Sequence, residues 1–314
     1  MEQVNNAHSR ATMRRSLEDR MISVVIFIVM TLVFVAIIYP FYYCLIISLN
    51  QGRDASLGGI YFFPRKFTLD NYKEVFRDSQ LIASYGMTIL RTVVGTVSAV
   101  LFTGLVAYAM SHRDLAYRKI YMTLMIVAMY FSGGLIPYYM VLRSLGLLNT
   151  FGVYVIPSLF GIWNCILMIN FFRTIPESLK ESAKLDGANE MTIFFRVIAP
   201  LSMPIFATIA LYVGVGHWND WYSTSFFAQQ NRGLRTLAYM LKELITRANL
   251  TSIAGQFAMD MSSAQRQGSA ASATYTAESL RMATMIVVVV PIICVYPFLQ
   301  RFFVKGVMVG SVKE

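Results

Sequence analysis

From Met21 to Leu49 the chain carries no charged residue, and a run of that length admits few structures. In hydrocarbon every backbone N–H and C=O must be satisfied within the segment, which makes it a helix, and about 20 apolar residues suffice to cross a bilayer. Pro40 predicts a kink within it. The run is too long for the apolar core of a signal peptide and lacks a small-residue cleavage site. Comparable runs recur near residues 90–110, 120–131, 151–172, 203–218 and 277–299. Only 14% of residues are charged, where about a quarter is usual for soluble domains. The expectation is an all-α membrane protein with six transmembrane helices. Arg10, Arg14, Arg15 and Arg20 before the first run, and Arg113, Arg118 and Lys119 after the second, place both termini on the cytoplasmic side. The chain then divides into a cytoplasmic tail at 1–20, a first span at 21–49, and an extracytoplasmic loop at 50–83. A membrane core follows at 84–300, with a cytoplasmic loop at 173–203 and an extracytoplasmic loop at 223–276, and then a cytoplasmic tail at 301–314.

Several chemistries are excluded at this level. Cys44, Cys165 and Cys294 lie far apart in apolar runs and read as small buried residues. His8, His112 and His217 share no ligand spacing, so no metal site is expected. The net charge of +10 is scattered over short inter-span stretches and forms no continuous basic face, so no nucleic-acid partner is expected. No GxxxxGK[ST] sequence cradles a phosphate. No nucleophile with a paired base, and no carboxylate pair, stands out in the spans. The chain is thus expected to have no catalytic residue and to bind no cofactor of its own.

Polar residues inside the apolar runs mark a pathway. Ser132-Gly133-Gly134-Leu135-Ile136-Pro137 breaks the third run at depth, and such a break must face protein or a water-filled cavity. Asn164 and Asn170 need partners in hydrocarbon. The fifth run ends in Gly216-His217-Trp218-Asn219-Asp220-Trp221-Tyr222. These aromatics are either interfacial anchors or, for Trp218 and Trp221, faces for sugar rings beside hydrogen-bonding Asn219 and Asp220. Tyr130, Ser132, Asn164, Trp218 and Asn219 are the candidate pathway residues. Gly95, Thr96, Ser98, Ala99, Thr103, Gly104 and Ala107 make the second span a packing helix. In the last long loop, Leu237, Met240, Leu241, Leu244 and Ile245 share one helical face, which suits either the membrane surface or a partner protein. Residues 262–274 are rich in Ser, Ala and Gln.

Between the fourth and fifth runs lies a polar stretch from Pro176 to Pro204. Pro176 suits a first helical position, Glu177 complements the helix dipole, Gly187 interrupts, and Met191, Phe194, Phe195 and Ile198 form a second apolar-periodic run ending at Pro200. Two short helices at an angle result, either an amphipathic pair on the membrane surface or a docking element.

Glu181-Ser182-Ala183, Asp186-Gly187-Ala188, Phe194, Pro200 and Pro204 resemble the cytoplasmic coupling loop of the permease subunits of bacterial ABC importers, departing from it by Ser182 where that family has Ala. Phe67-Thr68-Leu69-Asp70-Asn71-Tyr72, Val215-Gly216-His217-Trp218-Asn219 and the tail from Val295 extend the resemblance to the carbohydrate class, closest to its polysaccharide-derived saccharide subgroup. The resemblance implies a type I ABC importer permease fold in a bacterial cell membrane. It implies ATPase coupling through Glu181, Ser182, Ala183, Asp186, Gly187, Ala188, Phe194 and Pro200. Its implied partners are a second related permease, two ATPase subunits that hold ATP and Mg, an extracytoplasmic solute-binding protein and an oligosaccharide. The competing class is an ion-gradient-driven secondary transporter, but that class calls for carboxylates within spans, and here Asp and Glu avoid the span centres.

Overall fold

The computed structural model describes residues 17–246, 276, 278–291, 293–294 and 297. The tails at 1–16 and 301–314 and the segment at 262–274 lie outside the described residues. The described residues form helices joined by loops, and their one strand-like feature is an isolated bridge between Asn50 and Phe67. In chain order the helices are α1 (Leu17–Ser48), α2 (Gly52–Ala55), α3 (Asp70–Arg77), α4 (Ser79–Ser111), α5 (Arg118–Tyr130), α6 (Leu135–Ser144), α7 (Gly152–Val155) and α8 (Ile162–Phe172). They continue with α9 (Glu177–Leu185), α10 (Glu190–Ile193), α11 (Ala199–Leu201), α12 (Met203–Asn219), α13 (Tyr222–Phe227), α14 (237–246) and α15 (278–291).

Among the described residues two helices are long and apolar enough alone to cross a membrane, α1 and α4. Three more candidates are bent pairs: α5 with α6 at 117°, residues 152–158 with α8 at 46°, and the α10–α11 segment with α12 at 85°. The first break falls at Phe131–Gly134, where Gly134 takes a positive φ of 80°, as the Ser-Gly-Gly sequence predicts. The second follows a 3₁₀ turn at Ile156–Ser158; its proline cannot continue the α ladder.

Boundaries shift where capping overrides apolarity. α4 begins at Ser79, well before the apolar run, because the Asp78 side chain accepts the Gln80 N–H at 2.9 Å. With 33 residues it is about 50 Å long, against a hydrocarbon core of about 30 Å, so its first turns stand outside the apolar layer. The loop expected over 50–83 therefore contains α2, α3 and the start of α4. It is pinned by buried Asn71, whose amide donates to Ser48 O (2.8 Å) and Asn50 O (2.9 Å) and accepts from Ser279 Oγ (2.8 Å). Of the three cysteines, Cys165 alone is fully buried; Cys44 is half-buried and Cys294 is exposed, on a helix whose neighbour Ile293 is exposed too.

One core organises the bundle. Val100, Ala107, Tyr108 and Met110 of α4 meet Cys165, Met168, Ile169 and Phe172 of α8, Ile193 and Phe194 at the α10 end, Ile198, and Ile209 of α12. The small residues of α4 fall on one stripe, with Gly95, Ala99, Thr103, Gly104 and Ala107 buried, and α12 lies along it. A Cβ on Gly95 would stand 2.4 Å from His217 Nε2, and one on Gly104 would stand 2.8 Å from Phe206 Cε1. Glycine at both positions is what lets α12 approach this closely.

Candidate functional site

The polar stretch between α8 and α12 folds as a bracket. α9 starts at Glu177, with Pro176 as its N-cap at φ −55° and ψ 133°. The proline is thus one position earlier than its sequence context predicts, because its extended ψ belongs to a cap and not to a first turn. α9 ends in a closed C-terminal motif: the Gly187 N–H reaches Lys184 O and the Ala188 N–H reaches Ala183 O, both at 3.0 Å, with Gly187 at φ +81°. No heavy atom lies within 4 Å of a Cβ built there, so the backbone alone demands glycine. Asn189 then caps α10, its side chain accepting the Thr192 N–H at 2.8 Å. The second arm does not end at Pro200. A π-turn at Phe194–Ile198 widens the helix ahead of the proline, the arm runs on to Leu201, and the sharp break comes at Ser202 (φ −101°, ψ 12°).

The bracket has an inward and an outward face. Ile193, Phe194 and Ile198 are buried in the core, with Ala183 and Ala188 packed against it. Phe194 lies 5.4 Å from Tyr108 and 6.3 Å from Phe206, ring to ring. Glu181, Ser182, Asp186 and Gly187 are exposed, as is Pro200, and at the tip Leu185 is 90% exposed. Of the residues singled out by sequence, then, six surround the turn between α9 and α10, Phe194 roots the bracket, and Pro200 sits at its far end. Leu185 escaped sequence reasoning. Its signal is an apolar residue between the Ala183 and Ala188 positions of an otherwise polar turn.

Glu190 also went unremarked, and it ties the bracket to the bundle. Tyr108 Oη of α4 donates to its Oε2 at 2.6 Å, and Lys184 Nζ stands 2.8 Å from its Oε1. The Lys184 ammonium first, then the Tyr108 hydroxyl, hold the Glu190 carboxyl below the usual range, and Glu190 in turn raises Lys184. His112 Nε2 is 3.7 Å from Glu190 Oε2, the oxygen that accepts from Tyr108. Burial, with Lys180 nearby, pushes the His112 imidazole below its ordinary value, so this contact is not an ion pair at neutral pH. Burial likewise lowers Lys180.

At the opposite end of α12, Asp220 pairs with Arg91 of α4. Arg91 is 2% exposed; its Nη1 donates to Asp220 O at 3.0 Å, its Nη2 donates to Oδ2, and its guanidinium lies 4.2 Å over the Tyr154 ring. Asp220 also accepts the Ser223 N–H (3.0 Å) and hydroxyl (2.5 Å).

The five pathway candidates are dispersed. Ser132 lines a cavity of about 650 Å³ together with Phe131, Pro137, Tyr138 and Tyr222. Tyr130 precedes it and is exposed; Asn164 is half-buried on α8 beside Gly161; Asn219 is exposed at the end of α12. Trp218 is buried, edge-on to Tyr85 at 6.1 Å, with its Nε1–H donating to Val288 O at 3.1 Å. Asp220 is occupied by Arg91. Among the described residues no group of three His, Cys, Asp or Glu side chains could hold a metal ion.

The model of the family described as "binding-protein-dependent transport system inner membrane component" matches residues 9–309. Protein LplC of Bacillus subtilis is 36% identical over 88% of this chain and 89% of its own. The polygalacturonan/rhamnogalacturonan transport system permease protein YtcP of the same organism is 33% identical over 88% and 92%. Among solved structures, a bacterial ABC transporter involved in the import of the acidic polysaccharide alginate aligns with TM-score 0.81 and 28% identity, covering 92% of this chain and 98% of the matched one.

Proposed function

Because the chain belongs to the family of binding-protein-dependent transport system inner membrane components, we propose that it is the permease subunit of an ATP-driven importer of oligosaccharides released from polysaccharides, coupled to its ATPase through the 173–203 bracket. The protein is a membrane permease component. The substrate class follows the names of its relatives, which include polygalacturonan/rhamnogalacturonan and alginate transport. The topology we propose is six spans with both termini cytoplasmic, the sixth running through α15. The assembly comprises a second related permease, two ATPase subunits that hold ATP and Mg, and an extracytoplasmic solute-binding protein.

One observation carries the reading: the bracket buries its apolar root and turns Leu185, Glu181, Ser182 and Asp186 to solvent. Leu185, the most exposed apolar residue of the bracket, beside exposed Glu181 and Asp186, fits a cleft on a partner, where the two carboxylates meet basic groups and Ser182 allows close approach. Through the 85° bend at Ser202, a push on the tip becomes a movement of α12 together with α4, and with it of the walls of the pathway. Carboxylates at the centre of spans, which a gradient-driven carrier would require, are missing from α8 and α12.

Leu185→Glu tests this directly. The site is exposed, so the change should alter stability by less than about 0.5 kcal/mol. The expected outcome is a folded, membrane-inserted permease that no longer co-purifies with its ATPase, or whose ATPase activity no longer responds to loaded binding protein. Wild-type uptake by this variant combined with charge reversal at Glu181 would overturn the assignment.

A further inference from the structure

A second polar cavity, of about 610 Å³, opens where the end of α4, the start of α5 and the α8–α9 junction meet. Four cations line it, Arg113, Arg118, Arg173 and Lys180, against one carboxylate, Glu177. Two of them have unmet needs. Lys180 is 8% exposed yet makes no hydrogen bond or ion pair among the described residues; the nearest compensation is the Tyr108 ring, whose centroid lies 5.9 Å from its Nζ. The Nε–H of Arg118 is buried with no acceptor. A largely buried lysine with no carboxylate partner and a buried guanidinium N–H beside one cavity are costly unless something anionic fills it. Glu177 and Glu190 favour the charged lysine while Lys184 and Arg113 oppose it, but neither carboxylate forms an ion pair with Lys180 among the described residues; Glu190 is held by Lys184 instead.

The surroundings indicate which anion. α4 and α8 end and α5 begins at this level, and at the start of α5 the side chains of Tyr117, Ile120 and Tyr121 are exposed, the mix of aromatic and apolar groups found where helices meet headgroups. The cavity floor includes Phe172 and Ile175. We propose that this pocket binds the phosphodiester of an anionic phospholipid, held by Arg118 and Lys180 with Arg113 and Arg173 at the rim, while the acyl chains run down α5. Basic pockets between helix ends are suited to this task. The inference rests on the reading that these helices span the bilayer, but not on which side the bracket faces. Because Glu177 and Lys180 of the first turn of α9 line the pocket, a bound headgroup would brace the bracket at its base.

The test uses the assembled transporter in nanodiscs of phosphatidylcholine doped with phosphatidylglycerol, with retained lipid counted by native mass spectrometry. The wild type should retain phosphatidylglycerol in preference. Arg118→Gln and Lys180→Gln should each lower that retention roughly fivefold, with Arg118→Lys losing less, and excess inorganic phosphate should not displace the lipid. Should Lys180→Gln fail to fold, Arg113→Gln, at an exposed residue, carries the same expectation at the rim. The proposal is overturned by equal retention of the two lipids, by unchanged retention in the glutamine variants, or by displacement with inorganic phosphate alone, which would make the ligand a soluble anion. Loss of the ATPase from Arg118→Gln with lipid retention intact would assign the pocket to a partner's carboxylate and also overturn it. Failure of the coupling assignment would show instead in ATPase co-purification of Leu185→Glu, leaving headgroup selectivity untouched.

Discussion

Removing one side of the Arg91–Asp220 pair should be far more damaging than removing both. Arg91 is 2% exposed and already has an Nε–H without an acceptor. Asp220→Asn therefore strands a buried guanidinium that keeps the Asp220 carbonyl at 3.0 Å and the Tyr154 ring at 4.2 Å but loses its counter-charge. Breaking a buried pair from one side costs about 3–5 kcal/mol. Arg91→Met strands the carboxylate, but that group retains two bonds from Ser223 and a side chain 24% exposed, so its loss belongs at or below the lower end, about 2–3 kcal/mol. In the double variant no net charge is buried, and most of the penalty should vanish. The cycle should thus give a coupling of at least about 2 kcal/mol, roughly thirtyfold in the unfolding equilibrium. The assay is reversible denaturant unfolding of the purified permease in mixed micelles, with all four proteins compared in one detergent. Additive single effects, or an Arg91→Met penalty larger than that of Asp220→Asn, would refute the reasoning that burial asymmetry controls this pair.

Three further outcomes follow from the geometry. Gly95→Ala drives a Cβ to within 2.4 Å of His217 Nε2; with His217 buried, overpacking should cost about 1–3 kcal/mol and lower the thermal midpoint in detergent, and His217→Ala should relieve it. Gly187→Ala meets no neighbour but must hold φ +81°, so it should cost about 1–2 kcal/mol, with Gly187→Asn milder in the same melt. Acidification should loosen the bracket in two steps. His112, depressed from an ordinary 6.5, contributes stability that is full above that value and declines as pH falls below it. Glu190, depressed from 4.5, contributes stability present above that value and lost as pH falls through its lower folded value. His112→Gln should remove the first decline, and Tyr108→Phe should cost about 1 kcal/mol and weaken the second, both read from the pH dependence of cysteine accessibility at the α10 start.

The long apolar helices α1 and α4 were legible because hydrophobic length in a bilayer is a strong constraint, and the breaks at Ser132-Gly133-Gly134 and Gly187 were legible because glycine at such positions has a backbone reason. Less visible were features decided by single side chains. Asp78 moves the start of α4 well ahead of its apolar run through one cap, and the π-turn at Phe194–Ile198 carries the bracket past Pro200, where a helix break was expected. Asp220 reads in sequence as a sugar-binding group beside tryptophans. Its partner Arg91 is 129 positions away, and no local pattern announces such a pair. Trp218 similarly reads as an interfacial platform, but it is buried by contacts with Tyr85 and Val288 from other helices.

The two ends of α12 explain why a push on the bracket need not dissipate. At one end the bracket is rooted by Phe194 and Ile198 and tied to α4 by the Tyr108–Glu190 bond; at the other, Asp220 fastens the same helix to α4 through Arg91. Between them the helices touch at glycines, where Gly95 admits His217 and Gly104 admits Phe206, so the contact is close and has little room to deform. A segment fixed at both ends and tightly packed between them moves as a unit with its partner or does not move. Under the coupling role proposed for the bracket, loosening either tie should therefore leave ATPase docking intact while lowering the sugar moved per ATP hydrolysed, whereas damage at Leu185 should abolish both together. That dissociation between docking and yield is the signature by which a transmission element differs from a docking surface.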